Sequence, residues 1–300
     1  MTRRRGDKKS NPRVAASPRL RVAASKRHRV SSSRAPLITL LTDFGNADYF
    51  VAAMKGVILS INPAAHIVDI THDIPPQDIE AAAFTLLAAH SSFPAGTINV
   101  CVVDPGVGSA RRPVLVEAGG QSFVGPDNGI FSYVSEREPA TKVFELTNDT
   151  YFRHPVSTTF HGRDIFAPVA AALSNGVKPK ELGKAISDPF RLESLLPQRL
   201  ENGTLKARIV HIDRFGNCIT NLTPQNLTDK MIEEGAYLVV NKSRISSFRK
   251  FFSDSSGSGE EVFGLWGSAG FLELAAMNRS AVQLLKARRG DLVILSMKPG

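Results

Sequence analysis

Three short apolar runs, at residues 38–41, 67–70 and 97–103, are separated by two stretches of helical periodicity, and this alternation most restricts the fold. In the first stretch, 49–61, Val51, Met54, Ile58 and Ile61 recur at the spacing of one helix face, and Asn62-Pro63 ends it. The second, 78–89, is rich in alanine. Strands joined through helices pair in parallel, bury both faces and carry functional loops at their ends. From residue 205 the pattern changes to short alternating runs at 207–212, 236–240, 264–266 and 292–296, punctuated by Gly and Ser, notably over 253–259. The expected architecture is an α/β N-terminal domain at 37–188, with a mainly parallel sheet flanked by helices. A linker at 189–204 leads to a smaller, mainly-β, barrel-like C-terminal domain at 205–300.

The net charge of +9 would suggest a nucleic-acid partner if it were spread over the chain. It is not. Residues 1–36 hold twelve of the 37 Lys/Arg and a single acid, Asp7, which leaves 25 basic and 27 acidic side chains for the rest. The segment 1–36 has almost no large apolar residues and reads as a disordered basic tail. Its Arg, Ser and Ala resemble a transit peptide, but no apolar run follows Arg3-Arg4-Arg5 as in a secretory signal. Contact with nucleic acid is expected only through this tail, if at all. No segment has the length of apolar residues needed to span a membrane. Cys101 and Cys218 lie far apart and read as reduced thiols of a cytoplasmic protein.

Polar clusters sit where apolar runs end. Asp43-Phe44-Gly45 with Asp48 offers a carboxylate for a ribose diol, or equally a helix N-cap. In Asp104-Pro105-Gly106-Val107-Gly108-Ser109-Ala110-Arg111, the glycines permit close backbone approach. The missing Lys-Ser/Thr excludes a phosphate loop. Asp104 and Arg111 are spaced to pair across that turn, which by itself favours a structural ion pair. His161 lies in a polar loop before an apolar helix expected at 165–173. His66, Asp69, His72 and Asp73 look like metal ligands, but residues three apart in a strand face opposite ways, and no metal site is expected. Ser157-Thr158-Thr159 has no nucleophile-elbow pattern around it.

Together, Thr42 to Gly45, Val103 to Arg112, Pro126-Asp127-Asn128-Gly129, Phe160-His161-Gly162-Arg163-Asp164 and Ile212 to Asn217 resemble the S-adenosylmethionine hydroxide adenosyltransferase family, hydrolase relatives of the fluorinase and chlorinase. The resemblance runs from about Leu37 to the C-terminus. It implies hydrolysis of S-adenosyl-L-methionine to adenosine and L-methionine, by in-line attack of an activated water on the ribose 5′ carbon. It implies catalytic roles for Asp104, Arg111 and His161. By the same match Asp43 binds the ribose hydroxyls, with Phe44 beside it. Phe215 and Asn217 hold the adenine with Asp213 near, and Asp48 and Ser268 hold the methionine amino-acid group. A homotrimer is implied, with each site between two subunits. No cofactor is implied, because S-adenosylmethionine is the substrate. Gln77 and Ala269 stand where the halogenases carry an aromatic residue and an arginine. A halogenase on the same substrate is the nearest rival, but Asp104 would repel a halide, and the fluorinase insertion is missing between Arg112 and Gly125. A non-catalytic nucleoside-binding module is the rival from another class.

Overall fold

In a computed structural model, residues 35–138, 140–201, 204–254 and 261–297 are described. The basic tail falls outside them, apart from its last two residues. Strand β1 (Leu37–Thr42) is buried from Ile38 onward. It is followed by α1 (Phe50–Ile61), which turns Val51, Met54 and Ile58 inward, as its periodicity predicts. Next come β2 (His66–Thr71) and α2 (Ile79–His90). Asp78 caps α2 by accepting from the Ala81 amide, and Ala81, Ala82 and Ala83 are buried together with Phe84, Leu86 and Leu87. Strand β3 (Ile98–Val102) is buried throughout.

The chain then departs from simple alternation. Strands β4 (Pro113–Ala118) and β5 (Gln121–Pro126) form a hairpin, and α3 (Ser132–Arg137) leads to β6 (Lys142–Leu146). A π-helical turn, Gly162–Phe166, runs straight into α4 (Ala167–Ser174), so the helix expected at 165–173 starts earlier and is widened and underwound at its entry. After β7 (Gly183–Ile186) the first sheet is complete, in the order β2-β1-β3-β5-β4-β6-β7. Its β2-β1-β3-β5 half is parallel, and an antiparallel edge extends it through β4, β6 and β7. Helices α1 and α4 pack on one core and α2 on another.

The second sheet is antiparallel between its strands. It comprises β8 (Gln198–Arg199), β9 (Leu205–Ile212), β10 (Cys218–Thr220), β11 (Tyr237–Val240), β12 (Ser243–Ile245), β13 (Val262–Trp266), β14 (Leu272–Ala276) and β15 (Leu292–Ser296). The path is β12-β11-β15-β9-β10-β14-β13, and a bridge from Phe248, just beyond β12, to Gly264 in β13 brings its ends together. It is a nearly closed, barrel-like sheet. The segment between the two sheets is packed: Leu195 is buried with Phe84, Leu87 and Tyr133 of the first half and Val210, Ile219 and Phe271 of the second. Arg208 pairs with Glu80, and Arg289 with Asp78 at 2.5 Å, across the same boundary. Among the described residues, no helix is long and apolar enough to cross a membrane.

Candidate functional site

Asp104 follows β3 at the carboxyl edge of the parallel strands, the usual place for chemistry in such sheets. Two turns succeed each other there. Val107 N donates to Asp104 O at 3.2 Å and Ser109 N to Gly106 O at 3.1 Å, while Ser109 Oγ accepts from Arg111 N at 3.2 Å. They return Arg111 onto Asp104. Its Nε lies 2.9 and 3.0 Å from the two carboxylate oxygens, and Nη2 also donates to Oδ2. The pair is nearly dry, with side-chain exposures of 5% for Asp104 and 10% for Arg111, and the guanidinium sits 5.3 Å from the Phe166 ring centre. Charged hydrogen bonds of this fork geometry fix orientation as well as adding energy.

Arg111 reaches a second partner. Its Nη2 lies 2.7 Å from His161 Nδ1. A guanidinium only donates, so Nδ1 accepts, and the proton of the neutral ring is on Nε2. Burial first, and then the nearby Arg111, hold the His161 pKa below that of an ordinary imidazole, with Asp104 and Asp164 opposing more weakly. Nη1 of Arg111 is buried without a protein partner.

The loop bearing His161 docks on the Asp104 loop through glycine. Gly108 has φ of +77°, and a Cβ there would lie 2.3 Å from the Thr158 carbonyl oxygen. Asp164 organises the loop from beneath. Fully buried, it accepts from Arg163 at 2.7 and 2.8 Å, from Arg153 at 3.2 Å and from the Ser157 amide at 3.0 Å. Burial acts to raise its pKa, but these donors hold it below the ordinary carboxylate value. The residues alone assigned Asp164 no such role; a carboxylate beside an arginine in a loop carrying a candidate histidine was the available signal.

Asp43 does not cap a helix, since α1 begins at Phe50 with Tyr49 as its N-terminal neighbour. Its Oδ2 accepts from the Gln77 amide at 2.8 Å, and Gln77 has φ of +65°. Phe44 packs against Phe50 and Phe160, with ring centres 5.6 and 6.0 Å apart. Asp48 is exposed.

In the second half, Asp213 builds a turn. One oxygen accepts from the amides of Phe215 and Asn217 at 2.9 and 2.8 Å, and the other from Asn217 Nδ2 at 2.8 Å. Asn217 is buried, but Phe215 stands 80% exposed. Both line an open depression of about 560 Å³ with Phe252, Asn278, Arg279 and Ser280. Ser268 is exposed on the turn between β13 and β14. Thus Asp104, Arg111 and His161 form one group and Asp213, Phe215 and Asn217 another. Among the described residues no hydrogen bond, ion pair or ring contact joins the two groups.

Among the described residues, no three His, Cys, Asp or Glu side chains are arranged to hold a metal ion. Of the metal-like set, Asp69 is engaged by Lys55 at 2.6 Å and by His72 at 3.1 Å.

Family models for the SAM hydroxide adenosyltransferase N-terminal domain and C-terminal domain match residues 38–183 and 207–294. The chain is 36% identical over 258 residues to a protein of Methanocaldococcus jannaschii named (R)-S-adenosyl-L-methionine hydrolase, covering 83% of this chain and 91% of that one. It is 28% identical over 270 residues to a fluorinase of an Actinoplanes species, covering 80% and 90%. A crystal structure of an uncharacterised conserved protein from Thermotoga maritima superimposes with a TM-score of 0.79 at 34% identity, covering 86% of this chain and 99% of that one.

Proposed function

The chain belongs to the SAM hydroxide adenosyltransferase family, and we propose that it is an enzyme hydrolysing S-adenosyl-L-methionine to adenosine and L-methionine. The observation that carries this reading is the bidentate Asp104–Arg111 pair bonded onward to His161. A water oxygen forms the bond to the 5′ carbon as the C5′–S bond breaks. That bond's electron pair returns to sulfur and gives a neutral thioether, so the leaving group needs no acid. One water proton must go. Asp104 keeps free lone pairs beyond those used by Arg111 and is the acceptor. His161, with Nδ1 occupied, offers its Nε2–H to hold the water oxygen, which leaves Asp104 alone as the acceptor. Positioning in a dry site then lowers the barrier.

Asp43 takes the ribose hydroxyls, beside Phe44, and the depression with Phe215 and Asn217 takes the adenine, shaped by Asp213. Asp48 and Ser268 take the methionine amino-acid group. No cofactor takes part. The separation of the two groups within one chain, and the exposure of Phe215, support a site that forms between two subunits, in a homotrimer as the family resemblance implies. The 37–188 and 205–300 domain division, joined by 189–204, fits the ranges of the two family models. Two free, buried cysteines, with burial pushing the Cys218 thiol up to about 12, fit a cytoplasmic protein.

The test is incubation of purified protein with S-adenosylmethionine, alone and with chloride or fluoride. Stoichiometric adenosine and methionine, unchanged by halide, is the expected result. A 5′-halogenated nucleoside, or no turnover, would overturn the reading.

A further inference from the structure

Two of the metal-like residues, Asp69 in β2 and His72 just beyond it, belong to a polar chain that ends at the Asp43 loop. Lys55 Nζ donates to Asp69 Oδ2 at 2.6 Å, and Asp69 Oδ1 lies 3.1 Å from His72 Nε2. The Asp69–His72 approach is not aligned as a hydrogen bond, and it acts through charge on the ring N–H. His72 Nδ1 lies 2.9 Å from Thr42 Oγ1, and Thr42 Oγ1 accepts from the Phe44 amide at 3.3 Å. One set of proton positions fits the bonds from Phe44 through Thr42 to His72. The Phe44 N–H enters the hydroxyl oxygen, the hydroxyl donates to Nδ1, and the ring proton sits on Nε2 facing the carboxylate. Thr42 and His72 are both buried.

The backbone repeats the link. Gly45 N donates to His72 O at 2.8 Å and Ile74 N to Thr42 O at 3.4 Å. Pairing of β1 with β2 slips just before this point: Leu40 pairs with Asp69 but Leu41 with Thr71. A bulge of this kind redirects side chains at a strand end. Here it delivers His72 under the loop.

We infer that Lys55, Asp69, His72 and Thr42 are positioning residues that fix the loop presenting Asp43 and Phe44, and so tune recognition of the ribose hydroxyls. This rests on Asp43 being the ribose ligand. A merely structural role would lower stability without regard to the sugar, so the sugar supplies the readout.

Calorimetric titration of the full-length protein with adenosine and with 2′,3′-dideoxyadenosine tests it. Thr42→Val should weaken adenosine about tenfold, one hydrogen bond's worth of alignment, and leave the dideoxynucleoside within about twofold. Thr42→Ser should restore wild-type binding. Asp69→Ala, at the exposed end, should show the same selective loss in smaller measure, and it decides the matter if Thr42→Val does not fold. Equal weakening of both nucleosides, or no weakening, overturns the inference. Asp43→Ala separates the two levels. If it weakens adenosine while Thr42→Val does not, the relay fails and the Asp43 assignment stands. If Asp43→Ala binds adenosine as wild type does, the assignment fails and the relay with it.

Discussion

Asp104 spends some of its lone pairs on Arg111 and keeps others for a reacting water. Asparagine in its place keeps the shape but turns one acceptor oxygen into a donor that competes with the arginine. Asp104→Asn should therefore lower kcat by roughly 10²- to 10⁴-fold, the range for loss of a general base, while KM for S-adenosylmethionine stays within about threefold. Steady-state kinetics decide, and a kcat equal to wild type sinks the assignment. At this scale the sequence was legible where partners are local. Seven positions separate Asp104 from Arg111, and two successive glycine-containing turns close that distance. His161 is fifty positions from Arg111, and nothing local to either residue announces the contact. The residues marked His161 as a candidate, but only the family resemblance joined it to Asp104 and Arg111. The tautomer, and with it the division of labour between Asp104 and His161, required the direction of the Arg111 bond.

Between the Asp104 and His161 loops the critical contact is backbone on backbone. Gly108 combines a left-handed φ with a Cβ direction blocked by the Thr158 carbonyl. Gly108→Ala should push the loops apart, cost about 1–3 kcal/mol in stability by overpacking, and reduce kcat more than it raises KM. Urea denaturation alongside kinetics checks both parts. A variant as stable and as active as wild type would show that the close approach is not required. Element by element, the alternation over 37–103 predicted β1 to β3 and their helices, because apolar period and length agree there. The β4–β5 hairpin was not anticipated. Its signal was present in Gly119-Gly120, whose φ values of +57° and +76° suit a tight hairpin turn. The packed connection was read as a linker because its few apolar residues, Leu195 above all, find partners only in three dimensions.

For the molecule as a whole, acid and assembly supply the tests. Burial, as the largest cause, lowers the pKa values of His90, His161 and His211. Each binds its proton more weakly in the native state than in the unfolded chain, so unfolding takes up protons. Stability should thus fall as pH drops from about 7.5 through the ordinary histidine value near 6.5. Glu273, raised by burial and then Asp213, works with the opposite sign, one group against three. Urea midpoints at fixed protein concentration should be lower at pH 5.5 than at 7.5, and equal midpoints would refute the expectation. Assembly bears on the site itself. Asp104 and Asn217 belong to groups with no direct link inside one chain, so a complete site on the proposed reading draws each from a different subunit. On the proposed homotrimer, Asp104→Ala and Asn217→Ala, co-expressed with different tags, should reassort into mixed trimers. Some interfaces then carry both lesions and others neither, and the intact ones should recover part of the activity absent from either variant alone. If one chain supplied the whole site, every site would carry one lesion and mixing would recover nothing. Activity of the doubly tagged fraction is the measurement. A value no higher than the mean of the two parents rules out the shared site.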